Sequence, residues 1–361
     1  MREPIREIIA GLAAVALLTG CGPLTSAGTA TPSPSPTATT ASPSPTGPAA
    51  PVQPLEAAFE KVIADVLPSI VQINTRVGLG SGVVFDTAGH IVTNAHVVGE
   101  ATSMNVTLAT GGAPRRARLV SSFSAGDLAV IKVEDPDGLR PARFGDSSKL
   151  RVGQIVLAMG NPLGLSGSVT NGIISALGRT VTEPQNPGSP GATIAGAIQT
   201  SAAINPGNSG GALVDLSGQV IGIPTLAATD PTLGGGTAPG IGFAIPSNTA
   251  IDIAAQIVKD GKVTNTRRAA LGIRGSTVIG FDGESAGVSV VQVEPGGAAE
   301  KAGIRAGDTI VSLNGRQTPT MALLVEIIAT LKPGDQARVG LIRADGARET
   351  VTVTLGELPG E

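Results

Sequence analysis

The spacing of apolar positions divides the chain into stretches of distinct character. Residues 8–18, "IIAGLAAVALL", form an unbroken apolar run, too short to span a bilayer as a helix. Residues 22–54 show no period. From Leu55, "LEAAFEKVIADVLPSIVQI" sets Leu55, Phe59, Val62, Ile63 and Val66 on one stripe, which predicts an amphipathic helix interrupted by Pro68. The period then falls towards two. "IVQINTR", "GSGVVFD", "HIVTNAHVV", "MNVTLAT", "ARLVSS", "LAVIKVE", "QIVLAMG", "SVTNGIISAL", "ALVDLSGQVIGI" and "GIGFAIP" predict short strands, separated by turn signals such as "DTAG", "DPDG" and "LSGQ". Many short strands with turns between them predict an antiparallel sandwich or barrel. A second helix is predicted at "NTAIDIAAQIVKDG", closing this unit near Gly261. Residues 268–358 form a further unit with four strands and one helix near 321–331, where Leu324, Ile327, Ile328 and Leu331 share a face. No repeat of 20–50 residues is evident.

Composition fits a turn-rich β protein. Among 361 residues there are 50 glycines and 6 phenylalanines, with no tryptophan or tyrosine, so Val, Ile, Leu and Ala must build the cores. A net charge of −3 leaves no basic excess for neutralising phosphates and excludes a nucleic-acid footprint. Residues 22–54 carry no charge and are dominated by Pro, Ser and Thr. Such a segment cannot bury enough apolar surface to offset its ordering entropy. As extended polyproline II it would reach about 100 Å at ~3.1 Å per residue, a semi-rigid stalk.

The only cysteine, Cys21, rules out an intramolecular disulfide and a multi-cysteine metal site. Arg2 and Arg6 precede the apolar run and "LTGC" follows it. This resembles a bacterial lipoprotein signal peptide, which implies cleavage after Gly20 and a lipid on Cys21.

Candidate chemistry begins at "INPGNSGGAL". Ser209 is a poor nucleophile unless a base takes its proton and donors stabilise the oxyanion. The flanking glycines permit a tight backbone that aims N–H groups into one cavity. The chain has two histidines, His90 and His96. His96 follows an apolar strand and is the candidate base. His90 follows the "DTAG" turn and is read as a solvent-facing turn residue. Asp127 opens the strand "LAVIKV" and is the candidate acceptor that fixes the imidazole tautomer. The order His96, Asp127, Ser209 is that of chymotrypsin-like double barrels.

"TNAHVV", "GDLAVIKV", "GNSGGALVD" and "GIGFAIPS", in this order, resemble the HtrA (Deg) family of serine proteases over nearly everything from Leu55 to Glu357. The resemblance implies a mainly β fold, a chymotrypsin-like double β-barrel followed by a PDZ domain. It implies His96 as general base, Asp127 as its orienting carboxylate and Ser209 as nucleophile. The N–H groups of Gly207 and Ser209 would form the oxyanion hole, with Asn208 shaping the loop. Ile204, Ile223 and Ile241 are expected to line an S1 pocket for a small or medium aliphatic residue. Arg179 matches the family's regulatory-loop arginine. Ser201 stands where the family commonly has aspartate. A homotrimer packed through residues 55–71, with Phe59 as a contact, is implied, and no cofactor or metal is required.

"ALGI", the glycine-rich "EPGGAAEKAGIRAGDTIVSLNG" and the helix near 321–331 resemble a PDZ domain. The N–H groups of Leu271, Gly272 and Ile273 are placed to hold a C-terminal carboxylate while a peptide adds as a strand. The boundaries that follow are 1–20 for the leader, 21–54 for the tether, 55–264 for the protease-like unit and 268–358 for the PDZ-like one. The expectation is an envelope-anchored, extracytoplasmic endopeptidase acting on unfolded or mislocalised proteins. A non-proteolytic chaperone or PDZ adaptor on the same scaffold is the alternative.

Overall fold

A computed structural model describes residues 54–76, 78–161, 168–183, 191–205, 207–230, 236–280 and 283–360. The expectations for the leader, Cys21 and the tether up to residue 53 lie outside these residues. Helix α1 (Pro54–Val66) runs into a 3-10 turn at Leu67–Ser69 with Pro68 in its first turn, where the missing N–H of proline is tolerated. Val62 and Val66 are buried, and Phe59 and Ile63 pack partly against the same core. Leu55 is 48% exposed, so the predicted stripe is buried only along its C-terminal part.

The strands expected after α1 close into two barrels. The first is β1 (Ile70–Asn74), β2 (Leu79–Val84), β3 (His90–Thr93), β4 (Ser103–Leu108), β5 (Arg115–Phe123) and β6 (Leu128–Val133), in spatial order β1-β2-β3-β6-β5-β4. The one-turn helix α2 (Ala95–Val98) follows β3. The second is β7 (Ile155–Gly160), β8 (Ser168–Glu183), β9 (Ala192–Thr200), β10 (Ala212–Asp215), β11 (Val220–Asp230) and β12 (Gly236–Pro246), in order β10-β11-β12-β9-β8-β7. Closure removes the unpaired edges that would invite aggregation. Each barrel has its own interior: Val71, Ile73, Ile91 and Ile131 in the first, and Ile174, Ile198, Leu213 and Ile221 in the second. A third core joins them, formed by Phe123, Leu128, Leu157, Met159 and Ile245 with α1 and helix α3 (Ser247–Asp260). Gly261 ends α3 in the left-handed region, φ 73°, with its N–H on the Ile257 carbonyl, a glycine C-cap.

The remaining strands are β13 (Ala269–Ala270), β14 (Ile273–Ile279), β15 (Ser285–Val293), β16 (Thr309–Leu313), β17 (Arg316–Gln317), β18 (Gln336–Ile342), β19 (Arg348–Thr354) and β20 (Gly356–Glu357), with helices α4 (Ala298–Lys301) and α5 (Met321–Ala329). One sheet runs β14-β15-β16-β18-β19 with β17 on β16, and β13 pairs with β20 to tie the start of this region to its end. The Asn314-Gly315 step, with φ 52° and 82°, makes the two-residue hairpin between β16 and β17, as its sequence dictates. Leu324, Ile327 and Ile328 of α5 are buried against Val288, Ile310, Val339 and Leu341. α5 also lies beside β8 and β9 of the second barrel. Among the described residues no helix is long and apolar enough to cross a membrane.

Candidate active site

His96 and Asp127 meet where the first barrel faces the second. β3 ends at Thr93, and fully buried Asn94 gives its side-chain amide to the Asp127 carbonyl at 2.9 Å. This anchors the turn into α2, which carries His96. Asp127 follows the 3-10 turn Ser124–Gly126 and adopts the left-handed conformation, φ 53°, which aspartate tolerates better than most side chains. Its carboxylate is 2% exposed. Oδ1 accepts the His96 backbone N–H at 3.0 Å, and both oxygens lie 3.0 Å from His96 Nδ1. A proton held on Nδ1 leaves the Nε2 lone pair as the base. Burial alone would push the His96 imidazole down. The hydrogen bond and charge of Asp127, joined by the charge of Glu183, outweigh burial and hold it above the ordinary histidine value.

Ser209 reaches this pair through one residue. Its hydroxyl donates to the Thr225 carbonyl at 2.9 Å, and Thr225 Oγ1 donates to Asp127 Oδ2. Thr225 therefore touches the Ser209 hydroxyl with its backbone and the Asp127 carboxylate with its side chain.

The glycines around Ser209 answer a packing demand. A Cβ on Gly210 (φ 80°) would lie 2.2 Å from the Ser81 carbonyl oxygen and 2.4 Å from Thr93 Oγ1, closer than any real contact. Gly210 and Gly211 thus let the loop press against both barrels. Fully buried Ser81 of β2 fixes it from the other side. The Ser81 N–H donates to the Ser209 carbonyl at 2.9 Å, and its hydroxyl donates to the Gly207 carbonyl while accepting the Asn161 N–H at 2.8 Å. The Asn208 N–H goes to the Asn205 carbonyl at 3.0 Å. The Gly207–Asn208 peptide is pinned at both ends, and among the described residues no acceptor takes the N–H of Gly207 or Ser209.

Other expected residues sort differently. Ile204 lies inside the second barrel, Ile223 is 0% exposed in the core joining the barrels, and Ile241 is 37% exposed. The register shifts between Leu213↔Gly222 and Val214↔Val220, which leaves Ile221 as an extra residue. A second shift, between Pro224 and Leu226, leaves Thr225 as an extra residue as well. His90 is not the solvent-facing turn residue expected. It begins β3, is 8% exposed, and its Nδ1 sits 2.6 Å from Asp86 Oδ2. The turn ends at Gly89, so His90 already pairs with Lys132 inside the barrel. Arg179 is exposed on β8 opposite Ala197. Ser201 accepts the Ile173 N–H on its hydroxyl at 3.0 Å.

Leu271, Gly272 and Ile273 line a groove of about 580 Å³ with Met321, Leu324 and Ile328. Among the described residues no acceptor takes the N–H of Leu271 or Gly272. Arg268 borders the same groove and donates Nη1 to the Ala125 carbonyl at 2.6 Å, two residues before Asp127. Burial pushes its guanidinium down. Sequence reasoning missed Thr225, Ser81, Arg268 and Glu183, because each acts through a partner distant in the chain.

Residues 80–223 match the trypsin-like peptidase domain and residues 269–355 the PDZ domain. The chain is 40% identical to the periplasmic pH-dependent serine endoprotease DegQ of Escherichia coli, over 86% of its length and 66% of DegQ. It is 38% identical to the serine protease PepD of Mycobacterium tuberculosis, over 86% of its length and 68% of PepD. The crystal structure of a Yersinia pestis serine endoprotease covers 83% of this chain and 98% of its own at 34% identity, with a TM-score of 0.55. The chain belongs to the HtrA family of trypsin-like serine proteases. It spans about two thirds of the length of those two curated relatives. In this HtrA chain the peptidase match ends at Ile223, so Thr225 lies just beyond it, and the PDZ match encloses the whole Leu271–Ile273 segment.

Proposed function

We propose that this HtrA chain is a serine endopeptidase, a reading that rests on one observation above all: Thr225 bridges Ser209 and Asp127 while Asp127 holds His96. His96 Nε2 takes the Ser209 proton as Oγ attacks the scissile carbonyl. The N–H groups of Gly207 and Ser209 receive the oxyanion, in a loop already fixed by Ser81 and Asn205. Collapse of the tetrahedral intermediate returns the proton to the leaving amine and forms the acyl-enzyme. Water, deprotonated by the same imidazole, then releases the acid. Ile204 and Ile241 flank Gly242 in the assigned S1 region and favour a small or medium aliphatic residue there.

The groove along Leu271–Ile273 takes a C-terminal peptide, which adds beside β14 and α5. Arg268 carries its occupancy to the turn before Asp127, and Arg179 on β8 faces the same regulatory task. The relatives named periplasmic support an extracytoplasmic place, with unfolded or mislocalised proteins as substrates, a lipid on Cys21 as anchor and a homotrimer as the assembly. The test is digestion of an unfolded protein such as reduced casein by the purified chain lacking residues 1–20, compared with Ser209→Ala. Cleavage lost in the variant supports the reading. A chain that holds casein soluble but never cleaves it, with or without a groove-binding peptide, replaces it with the chaperone alternative.

A further inference from the structure

Glu183, the last residue of β8, has no role in the mechanism above, yet it stands beside the catalytic imidazole. One ligand atom each from His96, Asp127 and Glu183 lie within 4.8 Å of one another. Glu183 Oε2 is buried, and among the described residues nothing donates to it. A buried carboxylate oxygen without a donor is costly, so its natural complement is a cation brought from outside. A set of one imidazole nitrogen and two carboxylate oxygens matches a borderline transition-metal dication. Zinc holds such donors at about 2.0–2.2 Å, which puts neighbouring ligands roughly 3.4 Å apart in a tetrahedron.

We propose that His96, Asp127 and Glu183 form a regulatory site for Zn²⁺ or a like dication, whose binding switches proteolysis off. Asp127 faces Nδ1, so the metal binds that nitrogen and displaces the proton held there. The displaced proton moves to Nε2 and fills the lone pair that would receive the Ser209 proton, so the base is lost without any change in the fold. The inhibitory consequence rests on the assignment of His96 as base, whereas binding itself does not.

The two are therefore measured separately. The Ser209→Ala chain, which cannot digest itself, is titrated with Zn²⁺ by calorimetry and with Co²⁺ by visible absorption. One metal per chain is expected, and the double variant with Glu183→Gln should bind at least about tenfold more weakly, since even partners outside the ligand shell are worth that much. Glu183→His, which keeps a donor, should restore binding and guards against a merely misfolded β8. With the active chain, Zn²⁺ should inhibit peptide hydrolysis and a chelator should reverse it. The inhibition constant, normalised to each variant's own metal-free rate, should rise at least tenfold in Glu183→Gln. Zn²⁺ affinity indifferent to Glu183, as it would be for a metal held at His90 and Asp86, overturns the site. Binding that depends on Glu183 in a chain without proteolysis keeps the site and removes only the inhibition.

Discussion

The first barrel contains two histidine–aspartate pairs, and only one is fit for catalysis. His90 Nδ1 lies 2.6 Å from Asp86, and His96 Nδ1 lies 3.0 Å from both oxygens of Asp127. By distance the first pair is the tighter. The difference lies in what surrounds each carboxylate. Asp86 spends its other oxygen on the N–H groups of Ala88 and His90, closing its own turn. Asp127 is tied to Thr225, and Thr225 to Ser209, so its imidazole belongs to a chain of contacts that crosses between barrels. A histidine–aspartate pair becomes catalytic through the nucleophile brought to it, and strength of pairing alone does not qualify it.

This contrast can be broken most severely at the imidazoles. His96→Ala should lower kcat/KM for a peptide substrate by about 10⁶-fold, as expected when triad members act as a unit. His90→Ala should leave the rate per folded molecule unchanged and cost about 1–3 kcal/mol of stability, because it opens a buried polar contact. Steady-state kinetics and denaturant titration of both variants decide it, and equal activity losses would erase the distinction.

The carboxylates come next. Asp127→Asn should cost about 10⁴-fold in kcat, because the amide favours the wrong tautomer. Asp86→Asn should cost only about 1 kcal/mol of stability. Burial would raise Asp86, but its bonds to His90 and to the turn N–H groups win and hold it below the usual carboxylate range. Its contribution is therefore present above about pH 4 and is lost as pH falls through its folded value. Thermal melts of wild type and Asp86→Asn should converge in acid.

A smaller effect is expected from the loop side. Ser81→Ala removes the donor to the Gly207 carbonyl and should lower kcat by about 10²-fold, comparable to losing one oxyanion donor. KM for a short substrate should change little. A variant that lost stability and kept kcat would make Ser81 a packing residue only.

The mildest effect concerns pH. Asp127 and Glu183 raise His96 above its ordinary value near 6.5, so the acid limb of kcat/KM should lie above that pH. The protonated imidazole stabilises the fold fully below about pH 6.5, and this contribution fades as pH rises through the folded value. Activity and this share of stability should thus move in opposite directions through one window. Glu183→Gln should shift the limb towards acid, and a limb below 6.5 in the wild type would contradict the geometry.

How much of this was legible beforehand follows from chain separation. "TNAHVV", "GDLAVIKV" and "GNSGGALVD" mark His96, Asp127 and Ser209 locally, and period-two stretches mark the strands of both barrels except β9, whereas four strands were expected in the last region against eight found. Thr225 lies 98 residues from Asp127, and Ser81 lies 126 from Gly207. Barrel closure alone brings them together, and no local pattern records it. Ile223 lies in the core joining the barrels beyond the bulge at Ile221, and a motif resemblance does not register such a local insertion. His90 was misplaced for the opposite reason. The turn signal before it was read correctly but extended one residue too far, and Asp86 four positions earlier was the overlooked partner.

The account stands on Ser209 being an activated nucleophile. The direct measurement is covalent labelling of the purified chain by a fluorophosphonate, with the adduct mapped by peptide mass spectrometry. One adduct per chain on Ser209, lost in Ser209→Ala and in His96→Ala and retained in His90→Ala, is the predicted result. A chain that stays unlabelled with its PDZ groove both empty and filled by peptide, or that is labelled equally well without His96, would contradict it.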